Sequence, residues 1–178
     1  HKLQVAHGDL QPANVVLTSH PSRLVLIDFG SAWGMQAAAF RVDGDGHHRC
    51  YAAPELQVAG IVNGFLADQF SVSVVLFQLL TQQLPFGGLG GKAGRPEYVA
   101  ASADALVAPS RLSRACANLP QSLRDGIDRV TMRGLALDPE QRYPDRQPWL
   151  DDLFSVSARF RISPELPPLE SALTRAIQ

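Results

Sequence analysis

The sequence predicts an α+β fold, mainly helical, in which one small β-hairpin accompanies a buried central helix. Three observations carry this. Two runs of branched apolar residues, "NVVLT" and "RLVLID", flank the turn cluster "SHPS", as in a hairpin. The stretch from Phe70 to Leu80 is apolar on nearly every side, and further on Leu123, Ile127, Val130 and Leu135 recur at helical spacing.

Taken in order, residues 15 to 30 form the hairpin, with Pro21 in its turn and Asn14 and Asp28 at the strand ends. From Phe29 to Tyr51 runs a segment rich in Gly and Ala, longer than an ordinary connection and therefore a candidate functional loop. Asp68 can cap a helix reaching about Thr81, buried all round because Phe70, Val72, Val74, Val75, Leu76, Phe77, Leu79 and Leu80 cover its faces. Pro85 ends it, and "GGLGGKAGRP" reads as a flexible loop. After Pro120 and Ser122 a second helix should bury one face only. In "DPEQR", Asp138 is suited to a cap, Pro139 to the first helical position and Glu140 to the first turn. A last helix is expected from about Pro148 to Arg159, burying Trp149, Leu153 and Phe154. "PELPP", beyond Ser163, reads as a tail or linker.

With 178 residues, 46% of them hydrophobic, the chain can bury one sizeable core. Its 16 basic and 17 acidic residues are dispersed, which argues against nucleic acid or anionic lipid as a partner. Cys50 and Cys116 form no CxxC pair, so two reduced thiols in a cytoplasmic setting are expected. The apolar run is interrupted by Ser71, Ser73 and Gln78 and is shorter than the ~20 residues of a membrane span.

Asp9, Asn14 and Asp28 supply oxygen donors on loops and strand ends, without the His or Cys ligands that zinc favours. Such sets suit magnesium, which completes its sphere with water and substrate phosphates. The implied class is phosphoryl transfer, in which a carboxylate orients the attacking hydroxyl and metal ions neutralise phosphate charge. Asp9 suits the first task, Asn14 and Asp28 the second. Two other features are set aside. His47, His48, Asp43, Asp45 and Cys50 crowd one loop without the spaced pairs of a zinc site. "GGLGGKAG" is similar to a phosphate loop but has Phe86 where glycine is needed and Ala93 where a hydroxyl is needed.

"HGDLQPANVVL" resembles the catalytic loop of the eukaryotic-like (Hanks-type) Ser/Thr protein kinases, "IDFG" their magnesium-binding motif and "YAAPE" the end of their activation segment. Order and spacing agree, over about residues 5 to 158. The resemblance implies a kinase-like C-terminal lobe over residues 1–162, with the hairpin at the catalytic cleft, and a tail over 163–178. It implies a protein substrate, ATP and magnesium. Asp9 would orient the hydroxyl, Asn14 and Asp28, in the motif completed by Gly30, would hold the metal, and Val16 would lie under the adenine. His7 and Phe29 would stack, Asp68 would bond the backbone of the catalytic loop, and Arg142 would pair with Glu55.

Four departures from that pattern bear on activity. Gly8 stands where most such kinases carry an arginine that pairs with an activation-segment phosphate, and no Ser, Thr or Tyr lies between Ala32 and Cys50. Activation by loop phosphorylation is therefore not expected. Gln11 replaces the lysine that contacts the transferred phosphate, and His48 replaces its threonine partner. Loss of that cation could cost a few kcal/mol of transition-state stabilisation, two or three orders of magnitude in rate. The chain begins at His1, and the glycine-rich loop, strand lysine and helix glutamate of the family match no segment; Lys2 and Lys92 fit none of them. A fragment with little or no transfer activity of its own is expected. The alternatives are a pseudokinase scaffold, favoured by Gln11 and His48, and a small-molecule phosphotransferase, disfavoured by "YAAPE", Asp68 and Arg142.

Overall fold

The computed structural model describes residues 4–19, 22–34, 50–57 and 62–162. Among these residues four strands come first: β1 (Val5–Ala6), β2 (Val15–Ser19), β3 (Ser22–Leu26) and β4 (Trp33–Gly34). Six α-helices follow among them: α1 (Gly64–Thr81), α2 (Val99–Ala105), α3 (Pro109–Leu112), α4 (Arg114–Ala117), α5 (Gln121–Gly134) and α6 (Arg146–Ile162). The strands make two separate antiparallel pairs, β2 with β3 and β1 with β4. The hairpin forms where the apolar runs predict, in the register Val15 to Leu26 and Ser19 to Ser22. Its tip, His20 and Pro21, lies outside the described residues. So do residues 35–49, most of the candidate functional loop with Asp43, Asp45, His47 and His48, and the tail from 163.

Helix α1 is the packing post, but it starts earlier than the sequence suggests. Asn63, not Asp68, is its cap, accepting from the N–H groups of Phe65 at 3.0 Å and Leu66 at 3.4 Å. Asp68 sits inside the helix, where its backbone is already paired and its carboxylate is directed to another segment. At the far end Gln82 adopts a left-handed conformation and returns its N–H to Gln78 O at 2.8 Å, and Pro85 follows. The helix is not buried all round: Phe70, Val74 and Phe77 are buried, whereas Leu79 is exposed. Its buried Ser71 and Ser73 satisfy their hydroxyls one turn back, on Ala67 O and Gln69 O. By length and composition α1 could cross a membrane, but 61% of it is buried inside the protein, which accounts for its apolar character.

One apolar cluster joins α1 to the segment before it through Ala53, Leu56, Phe70, Val74, Phe77 and Leu135. A second joins α1, α5 and α6 through Phe65, Val130, Tyr143 and Trp149. Helix α5 buries one face, Leu123, Ile127 and Val130, as its spacing predicts. Asp138 caps the 3-10 turn Pro139–Gln141 by accepting from the Glu140 N–H at 3.0 Å.

Two further readings need correction. Phe154 is 64% exposed. Trp149, Leu153 and Val156 follow one face of α6 at steps of four and three, and Phe154 falls about 140° from Trp149 on the wheel. The "GGLGGKAGRP" segment is not a flexible loop: it folds into the 3-10 turns Pro85–Gly88 and Gly90–Gly94, with Gly90, Gly91 and Ala93 buried. A Cβ on Gly91 would lie 2.6 Å from Ala53 O and 2.7 Å from Ala52 O, so this turn packs directly on the backbone preceding Pro54.

Candidate active site

The loop from His7 to Asn14 is shaped from both ends. Pro12–Asn14 makes a 3-10 turn whose Asn14 N–H bonds Gln11 O at 3.0 Å, and Asn14 O accepts from the Ile27 N–H at 3.0 Å. That second bond, with the pairing of Val15 to Leu26, brings Asn14 and Asp28 to the same end of the hairpin. Asp28 holds a left-handed conformation, φ 59° and ψ 71°, and its Oδ1 accepts from the Gly30 N–H at 3.3 Å.

Asp9 is the centre of this loop. Its Oδ2 accepts from Gln11 Nε2 at 2.8 Å and from Asn14 Nδ2 at 3.0 Å, and its backbone carbonyl accepts from the same Asn14 nitrogen at 2.8 Å. Asn14 is buried, and Asp9 is partly exposed. The Asp9 carboxylate is thus oriented by two amides. Its backbone N–H donates to His7 Nδ1 at 3.3 Å, which puts the ring hydrogen on Nε2, donated to Ile27 O at 3.0 Å. The His7 ring lies 4.7 Å from that of Phe29, tilted by 53°.

Beneath the loop, Asp68 accepts from the His7 N–H at 2.8 Å and the Gly8 N–H at 2.9 Å. Burial pushes its carboxyl above the usual carboxylate range, and the two N–H groups it accepts partly offset that. Further off, Arg142 clasps Glu55 through two bonds of 2.7 and 3.0 Å. Val16 is 41% exposed on β2 and, with Leu24 and Leu26, leaves the hairpin partly bare. His48 lies outside the described residues.

The sequence reading passed over Trp33, which packs on Gly8, and over Asn63 and Gln69. Gln69 exchanges two bonds with the Tyr143 backbone, at 3.3 and 3.1 Å. Asn63 was findable as a cap-type residue immediately before "GFLADQF"; Trp33 carried no local signal, because its partner is distant in sequence.

A mainly helical domain with small antiparallel sheets and a carboxylate loop beside a hairpin is consistent with a kinase-like fold. The chain belongs to the protein kinase domain family, whose profile matches residues 1–147. It is similar to a probable serine/threonine-protein kinase of Clostridium perfringens, at 27% identity over 88% of this chain and 21% of the relative. The serine/threonine-protein kinase PksC of Streptomyces coelicolor is 30% identical over 92% of this chain and 28% of its own length. The SNF-related serine/threonine-protein kinase of Rattus norvegicus is 31% identical over 84% and 19%. The chain therefore spans between 19% and 28% of the length of these relatives.

Proposed function

We propose that the protein transfers the γ-phosphate of ATP to a Ser or Thr hydroxyl of a protein substrate, with residues 1–162 serving as the C-terminal lobe of the kinase domain. The observation that carries this is the Asp9 carboxylate, fixed by the Gln11 and Asn14 amides at the hairpin end that also bears Asp28. The names of the relatives support the choice of hydroxyl.

In this reading Asp9 accepts or orients the hydroxyl proton, a task suited to a partly exposed carboxylate whose rotamer is already set. Gln11 contributes orientation and a neutral donor where a cation would give more stabilisation, so the transfer is slow. The donor set fits magnesium: with Nδ2 directed to Asp9, Asn14 offers its amide oxygen, and Asp28 offers a carboxylate. Magnesium, when bound, neutralises charge on the phosphates. Val16 supplies an apolar surface for the adenine. Phosphorylation between Ala32 and Cys50 is not the switch, and a cytoplasmic setting suits the two free thiols, Cys50 and Cys116.

A second reading, a scaffold without transfer, is favoured by the Gln11–Asp9 bond, which can serve purely to order the loop. Radiolabelled phosphate transfer by the full-length protein separates the two. Asp9→Ala is expected to reduce incorporation by about 10²–10⁴-fold. Equal incorporation by both forms would refute the role of Asp9; none by either, with both folded, selects the scaffold.

A further inference from the structure

Gly8 has a positive φ, 80°, and the space where its side chain would stand is filled. A Cβ there would lie 2.6 Å from Ser31 O and 2.9 Å from Trp33 Cε3, and it would run into Trp33 Cζ3. At the other edge of the same indole, a Cβ on Gly64 would collide with the Ala6 Cβ and sit 3.4 Å from Trp33 Nε1 and 3.5 Å from Cε2. The six-membered ring of Trp33 therefore rests on Gly8 and its pyrrole edge lies beside Gly64, a slot with a side-chain-free wall at each end. The backbone adds to this, since β1 and β4 pair Ala6 with Trp33 and Val5 with Gly34. Trp33 also packs against the main apolar cluster.

We propose that Trp33 is a positioning residue: lodged between Gly8 and Gly64, it clamps the turn that follows Asp28 onto the turn that carries Asp9. Gly8 is thereby held on three sides, by the Asp68 carboxylate at its N–H, by the Trp33 ring and by Ser31 O. Any side chain at position 8 would displace the indole. The clamp fixes Asp9 relative to Asp28 by packing alone, with no charged group at position 8, and so does not depend on a modification of the segment that follows.

The test uses the full-length protein with Trp33→Ala, Trp33→Phe, Gly8→Ala and the double variant Gly8→Ala/Trp33→Ala. Amide hydrogen exchange is read by mass spectrometry. Trp33→Ala is expected to speed exchange about tenfold or more in Ala6–Asp9 and Phe29–Gly34 while α5 exchanges as in the wild type. Trp33→Phe, which keeps a ring in the slot, should stay close to the wild type. Gly8→Ala should loosen the same two segments, and the effect in the double variant should fall short of the sum of the two single effects, because the methyl no longer strikes the indole although it still meets Ser31 O at a positive φ. Wild-type exchange in Trp33→Ala, acceleration spread evenly into α5, or strict additivity in the double variant would each overturn the proposal. If Trp33→Ala does not fold, Trp33→Leu takes its place: the same local acceleration is expected, and wild-type exchange in Trp33→Leu would overturn the proposal.

The activity readout rests on the phosphoryl-transfer reading: Trp33→Ala should lower kcat by about 10²-fold through misplacement of Asp9, with the KM for ATP within about twofold of wild type and recovery in Trp33→Phe. A wild-type protein without transfer refutes that reading and leaves exchange to decide the role of Trp33.

Discussion

The two carboxylate oxygens of Asp68 divide between the N–H groups of His7 and Gly8, so a single buried side chain satisfies two donors that no strand or helix can reach. Asparagine offers one oxygen where two are needed and turns an amine toward the second donor. Asp68→Asn should therefore lower stability by about 1–3 kcal/mol, and Asp68→Ala, which abandons both donors, by about twice as much. Urea unfolding measures the loss, and exchange at the His7 and Gly8 amides locates it. Unchanged stability in Asp68→Ala would mean that these bonds are replaceable. At this scale the sequence marks Asp9, Asn14 and Asp28 by residue type and interval, and the structure bonds Asn14 to Asp9 and brings Asp28 to the same end of the hairpin. The Trp33 slot was not legible, since it depends on how a large ring and two glycines from three segments fit together.

Between elements, α5 and α6 are joined by a small polar relay. Tyr143 donates its hydroxyl to Asp152 Oδ2 at 2.6 Å, and Arg129 reaches both oxygens of the same carboxylate at 3.0 and 3.3 Å. Arg133 lies 4.1 Å over the Tyr143 ring. Burial first, then the bond to the Asp152 carboxylate and its charge, push the Tyr143 hydroxyl from 10.0 up to about 12. Between those values the native protein keeps a proton that the unfolded chain has lost. The stabilisation is complete below pH 10.0 and is lost as pH rises through about 12. In urea unfolding, Tyr143→Phe should be less stable than wild type at pH 8, with the difference closing across that alkaline window; a constant difference would show that the raised value does not couple to folding. Legibility at this scale followed length. Helix α5 announced itself by Leu123, Ile127 and Val130, and the hairpin by its branched runs. The start of α1 was misplaced because Asn63 and Asp68 are both cap-type residues, and only the position of the 7–8 loop decides between them. Helices α3 and α4 have four residues each, too few to establish a period.

Across the whole molecule, Arg142 is the point where separate parts meet. It is 1% exposed, and its guanidinium makes five hydrogen bonds: Nε to Ala136 O, Nη1 to Glu55 Oε1 and Leu66 O, and Nη2 to Glu55 Oε2 and Leu137 O. Its plane also lies 4.9 Å over the Phe70 ring. One side chain thus ties the turn Pro54–Gln57, helix α1 and the chain leaving α5 into a single body. The pairing with Glu55 was expected from sequence; the three carbonyls were not, because backbone acceptors leave no mark on residue identity. This distinction sets the outcome of substitution. Removing one partner of a buried ion pair costs about 3–5 kcal/mol, a large share of the roughly 5–15 kcal/mol that holds a domain folded. Arg142→Met and Glu55→Leu, made singly, each belong in that range, because each leaves the charge of the other partner without its counter-ion. Replacing both partners of a simple buried pair by apolar residues is often neutral. Here Arg142→Met with Glu55→Leu should remain well below wild type, since the carbonyls of Leu66, Ala136 and Leu137 would lose their donors. Urea unfolding of both single variants and the double variant measures this, and a double variant as stable as wild type would show that the ion pair alone, not the junction of backbone segments, is what Arg142 provides.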